Sequence, residues 1–179
     1  KIEDNKNKIN INDIKISYIK NLYLLKVYDD AVNLINILIE DLTNKITLRT
    51  NEKKQLAELY YYLAEISLNN NNYEYAQLNF QLCVDNIGTN KNNSIYKIAN
   101  NRNTALIKYF NYYEEIQFKK NKNKDNSVSD ILKEINNIKD TSIVDIEELD
   151  SLNYQIAEIL YFDLEQIDSS IYKYEKILE

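Results

Sequence analysis

The chain has 179 residues, with 22 Lys and Arg against 28 Asp and Glu and a net charge of −6, a balance that repels nucleic acid and anionic lipid. One Gly and no Pro are too few turn residues for a sandwich or barrel, so the fold reads as all-α. Without His and with a single Cys, the chain lacks a nucleophile–His relay, a His or Cys zinc site and an internal disulfide; one Gly also excludes a P-loop and a dinucleotide fingerprint.

In chain order, residues 1–7 are charged and Asn-rich and read as a linker. From about Lys8 to Leu25, the residues Ile11, Ile14, Tyr18, Ile19, Leu22 and Leu25 recur at helical spacing. Lys26 and Val27 supply a turn. Tyr28-Asp-Asp-Ala31 then opens a second helix with acids in its first turn, with Ala31, Leu34, Ile35, Leu38 and Leu42 as its buried stripe. The central stretch divides into helices over roughly 51–70 and 72–87, broken at Asn69–Asn72. Gly88 closes the pair with a left-handed residue. A helix is expected over about 94–118, followed by a loop at Lys119–Asn126, KKNKNKDN. Ser127 with Asp130 and Ser142 with Asp145 have capping-box spacing. The first starts a short helix lined by Ile131, Ile135 and Ile138, the second a helix from about Asp145 to Leu164. Tyr154, Ala157 and Tyr161, then Ile167, Ser170, Tyr174 and Ile177, mark the last pair. The expected organisation is a single helical domain over 8–179, made of four hairpins at about 8–46, 51–88, 94–140 and 145–179.

Within the central pair, Tyr60, Leu63, Ala64, Tyr73, Ala76, Phe80 and Cys83 follow the order and spacing of one tetratricopeptide repeat, a helical hairpin that stacks into a solenoid. Ser67 stands where that pattern carries a large residue, and Gly88 where it carries Pro. Tyr28 and Ala31 repeat the Tyr–Ala spacing in the first hairpin, with Ile19 at the small-residue position of its first helix. The chain therefore resembles the tetratricopeptide family. The resemblance implies a right-handed α-solenoid of about four hairpins and a non-catalytic protein-interaction module. In that family the first helix of each pair lines a concave groove, which on the central repeat implies Glu58, Tyr61, Glu65, Leu68 and Asn69 as partner-binding residues. An acidic, Tyr-lined groove of that kind suits a peptide with Lys or Arg and an apolar anchor.

The tyrosines are abundant, 16 against 4 Phe and no Trp. Cys83 reads as a buried, inert thiol, since no basic neighbour is at hand to lower its pKa. The basic run Lys119, Lys120, Lys122 and Lys124 reads as a solvated loop. Glu114–Glu115 and Glu147–Glu148 are imaginable as a hydrolase dyad, but neighbours on a helix diverge by about 100°. A second contact surface is expected at the C-terminal edge, where Ile171, Tyr174, Ile177 and Leu178 follow one another with no further helix to cover them. A partner protein or a second copy of the chain would fill it. No cofactor, metal or nucleic acid is expected. The chain begins at Lys1 rather than Met, which fits a trimmed N-terminus. The expectation is a bacterial cell-envelope location, with any membrane association through an upstream anchor, ahead of a cytoplasmic one.

Overall fold

The computed structural model describes residues 10–88, 93–133 and 142–178, with side chains described outside 122–147. Everything regular in it is helical: α1 Ile11–Leu24, α2 Tyr28–Thr43, α3 Thr50–Asn69, α4 Tyr73–Ile87, α5 Ser94–Lys133, α6 Ser142–Glu158 and α7 Ile167–Leu178, with a π-helical turn, Ile159–Asp163, continuing α6. The expected linker at residues 1–7 lies outside the described residues.

Asparagine sets several helix starts. The Asn10 side chain accepts the Asn12 N–H at 3.0 Å, the Asn72 side chain that of Tyr75 at 3.2 Å, and the Asn93 side chain that of Ile95 at 2.8 Å. Each satisfies a donor that has no partner within its helix. At α3 the Glu52 carboxylate reaches back to the Arg49 N–H at 2.8 Å.

Three connections place a residue other than glycine in the left-handed region, and two of them share one bonding pattern. After α1, Val27 N–H bonds Leu22 C=O and Lys26 N–H bonds Tyr23 C=O. After α3, Asn72 N–H bonds Ser67 C=O and Asn71 N–H bonds Leu68 C=O. These crossed pairs are Schellman closures, and each needs a residue in the left-handed region. Lys26 at φ 59° and Asn71 at φ 57° fill that role, and Glu165 is left-handed at φ 56° between α6 and α7. Gly88 also has a positive φ, but with ψ −131° it lies in the mirror-β region rather than the left-handed helical well expected for it.

Packing repeats with the turns. Ile19 and Ala31, Ala64 and Ala76, and Ala157 and Ser170 occupy matching places on either side of the three turns, and all six are fully buried or nearly so. The left-handed residue lies five positions before Ala31, Ala76 and Ser170 alike. It lies seven after Ile19 and Ala64, but eight after Ala157. The extra residue sits in the π-helical stretch, where Leu164 N–H bonds Ile159 C=O and Gln166 N–H bonds Leu160 C=O. Widening the helix by one residue keeps Ala157 and Ser170 in register, and the Ser170 hydroxyl donates to Ala157 C=O at 2.9 Å.

Several expectations are corrected. On α1 the buried residues are Ile16, Ile19 and Leu22, while Ile11, Ile14, Tyr18 and Leu25 are exposed. The helix carries two apolar stripes, and the one holding Ile19 packs against α2 and α3. Lys119–Asn126 is not a loop: α5 runs through it without interruption to Lys133. The stretch is polar but holds neither Pro nor Gly, and Lys is a good helix former. Ser127 and Asp130 accordingly lie inside α5, since a capping spacing marks a start only where the preceding residue is not helical. Ile131 belongs to α5, and Ile135 and Ile138 lie outside the described residues, so no third hairpin is described. The chain divides into two compact units, one ending at Asn103 and one beginning at Thr104, with the boundary inside α5.

In the first unit, Ile16, Ile19, Leu22, Ala31, Ile35, Leu38, Leu42, Leu56, Leu59, Tyr62, Leu63 and Ile66 form one core, and Ala64, Ala76, Phe80 and Cys83 are buried between α3 and α4. The second unit buries Ile116, Leu152, Ile156, Ala157, Ile159, Leu160 and Leu164. Lys119 on α5 is tied to Glu148 on α6, and also to Glu115 one turn back at 3.4 Å.

Candidate functional site

Two places gather chemistry, one in each unit. In the first, Glu65 on α3 is 3% exposed. It accepts from Arg102 Nη1 on α5 at 2.7 Å and from the Tyr23 hydroxyl on α1 at 3.3 Å. Burial, with the Glu65 charge second, raises the pKa of both Tyr23 and Tyr61. Burial alone is the main cause that pushes Tyr62 to about 12. The tyrosine rings pack together, Tyr23–Tyr62 at 5.6 Å and Tyr61–Tyr62 at 5.4 Å between centroids. This is an internal polar anchor joining three helices, held within aromatic surface. Two further links are of the same kind: Gln55 Nε2 donates to Asp13 at 2.6 Å, and Asn103 Nδ2 to Gln81 at 2.6 Å.

The residues expected to line a groove on α3 do not form one open face. Glu65 and Leu68 are buried. Tyr61 is half-buried, with its ring 6.3 Å from Phe80. Glu58 is half-buried, and burial raises its carboxyl above the usual range. Asn69 is exposed, and its side-chain N–H bonds Glu65 C=O at 2.9 Å. The four-residue spacing of Tyr61 and Glu65 does place them together, but against α1 and α5. Arg102 and Tyr23 were missed in the sequence because their partners lie 37 and 42 positions away. Cys83 is buried as expected, its thiol pushed up to about 12 by desolvation.

The second place is the outer face of α6 and α7. Tyr154 and Tyr174 stack edge to face at 5.8 Å, and the Tyr174 hydroxyl donates to Glu158, which raises the Tyr174 pKa to about 12. These contacts join the α6 stripe of Tyr154, Glu158 and Tyr161 to the α7 stripe of Ile167, Ile171, Tyr174 and Leu178, spaced at three and four residues. Tyr154 is 51% exposed, Ile171 49% and Leu178 87%. The expected edge is therefore brought together, except that Ile177 is half-buried on the side of α7 that holds Ser170. Tyr154 and Tyr161, read from sequence as packing residues, face out. Phe162, within the π-helical turn, is also exposed, and its ring meets Tyr161 at 4.8 Å and 81°.

Among the described residues, no group of three or more His, Cys, Asp or Glu could hold a metal ion, and no helix is long and apolar enough to cross a membrane. No family model, curated protein or solved structure matches the chain.

Proposed function

We propose that the chain is a non-catalytic protein-binding module built as a right-handed, tetratricopeptide-like solenoid of helical hairpins, and that its partner, a protein or peptide, docks on the outer face of α6 and α7. The single observation that carries the binding role is the set of exposed apolar side chains Tyr154, Tyr161, Ile171 and Leu178 on the two stripes that the Tyr154–Tyr174 contact joins. Contiguous apolar surface of this kind on a folded domain marks a contact region. The repeat reading is supported by the common register of Ala31, Ala76 and Ser170 against a left-handed turn residue. With Glu65 and Leu68 buried, the α3 face offers only Tyr61, Glu58 and Asn69, so the C-terminal hairpin is the better surface.

A photo-crosslinking residue placed at Ile171, and separately at exposed Glu74 on α4, tests the reading in the cells that make the protein. The expected result is a reproducible partner protein captured from position 171 only and lost on Tyr154→Lys with folding unchanged. Equal labelling from both positions, or capture insensitive to Tyr154→Lys, would refute it.

A further inference from the structure

The partner's chemistry can be read from the charges around this strip, an inference that rests on the docking role just proposed. Residues 1–103 hold 13 basic and 12 acidic side chains, a net +1, while residues 104–179 hold nine and 16, a net −7. The whole excess of negative charge thus belongs to the second unit. Within it, the sequence from Asp140 to Tyr172 holds nine acids and no Lys or Arg.

The placement of those charges is specific. On α6, Asp150, Tyr154, Glu158 and Tyr161 succeed one another at four, four and three residues, so acid and aromatic alternate along one stripe. On α7, Asp168 and Glu175 are exposed beside Ile171 and Leu178. The two lysines of α7 point elsewhere. Lys176 lies over the Tyr172 ring at 5.7 Å, and Lys173 is half-buried, its pKa lowered by burial and then by Lys120. An apolar strip is therefore bordered by carboxylates, with no described cation on it.

We infer that the face spanning α6 and α7 binds a cationic amphipathic segment of a partner protein, with the segment's apolar side on Tyr154, Tyr161, Ile171 and Leu178 and its Lys or Arg residues on Asp150, Glu158, Asp168 and Glu175. Helix-on-groove recognition supplies the anchors, and the rim charges set the sign of the partner and speed its approach. A Leu/Lys face matches both features. An acidic segment meets repulsion at every rim position, and an anionic membrane is repelled by the same field.

The test uses the whole chain and three fluorescent peptides about four helical turns long, with Leu on one face and Lys, Gln or Glu on the other. Anisotropy should show the Lys peptide binding at least about tenfold more tightly than the Gln peptide, with the advantage lost as ionic strength rises from about 0.05 M to about 0.5 M. Ile171→Ser should weaken all binding. Asp168→Lys with Glu175→Lys, both at exposed positions, should abolish the preference for Lys, whereas Glu74→Lys with Asp29→Lys in the first unit should leave it. Equal binding of the Lys and Glu peptides, absence of binding by the Lys peptide, or equal loss in both charge-reversed variants would overturn the inference. Binding of the Gln peptide as tight as that of the Lys peptide, still sensitive to Ile171→Ser, would overturn it too, yet leave the docking role standing. Concentration-dependent mass without peptide that is lost in Ile171→Ser would assign the face to a second copy and likewise overturn the basic partner.

Discussion

Removing the cation from the Glu65 anchor should be the most damaging change in the first unit that alters no apolar packing. Arg102→Met keeps the aliphatic stem and deletes the guanidinium 2.7 Å from a carboxylate whose side chain is 4% exposed. Breaking a buried pair on one side typically costs about 3–5 kcal/mol. A second route sets a ceiling. The variant can always protonate Glu65, and at pH 7 that costs about 3.7 kcal/mol for a carboxyl of ordinary pKa near 4.3. The expected loss in urea unfolding at pH 7 is therefore about 3–4 kcal/mol, with an unchanged m-value. The sign of its pH dependence follows. In the variant, Glu65 would hold its proton more tightly folded than unfolded, so its stability is fully present below pH 4.3 and lost as pH rises through the raised folded value. The deficit relative to the original chain should shrink towards pH 4. Glu65→Gln on the Arg102→Met background should recover most of the loss at pH 7. A cost below about 1 kcal/mol that does not change with pH would show that Glu65 is solvated, as exposed pairs are, and would refute the anchor.

Three further outcomes follow from packing, turns and buried acids. Ala76→Leu, at a fully buried position between α3 and α4, should cost about 1–3 kcal/mol by overpacking; an unchanged melting temperature would place Ala76 on the surface. Lys26→Gly and Glu165→Gly should each stabilise by up to about 1 kcal/mol, because a side chain in the left-handed region is strained and Gly is not; loss of stability on calorimetry would argue against those turns. Tyr62 and Cys83, both raised to about 12, keep their protons folded at pH values where the unfolded chain releases them. The Cys83 contribution should thus be intact below about pH 9 and that of Tyr62 below about pH 10, each falling by about 1.4 kcal/mol per pH unit from there as pH climbs towards 12, and a flat stability between pH 9 and 11 would contradict their burial.

How much was legible depended on whether a feature was local. The helix starts at Tyr28 and Tyr73 and the small residues Ala64, Ala76 and Ser170 follow from spacing alone, because a hairpin's closest approach recurs at a fixed distance from its turn. The turns after α1 and α6 were harder to place in detail, since Lys26 and Glu165 take a backbone region usually left to Gly or Asn. Burial on α1 was misjudged because Ile11, Ile14, Tyr18 and Leu25 are as apolar as Ile16, Ile19 and Leu22. Only the neighbours decide which stripe packs. The same ambiguity made Glu65 look like a groove residue: a carboxylate at four residues from Tyr61 reads as surface until Arg102 arrives from another helix.

The C-terminal hairpin takes up one extra residue without losing the contact between its small residues. Its stretch from Ala157 to Ser170 is one residue longer than that from Ala64 to Ala76, and the small residues must still meet if the hairpin is to close. Taking up the excess in a π-helical turn satisfies that demand. It also sets the residues that follow the turn back by about 100° relative to an uninterrupted helix. Leu160 and Leu164 are buried, while Tyr161 and Phe162 lie at the surface. Insertions of this type concentrate at functional positions. Here the turn carries two exposed aromatic residues, Tyr161 and Phe162, on the most acidic part of the chain. Deleting Phe162 should restore the shorter spacing, and on this argument it should preserve the packing of Ala157 on Ser170 while reducing peptide binding at the outer face. A deletion variant that keeps full affinity would separate the π-helical turn from the binding role.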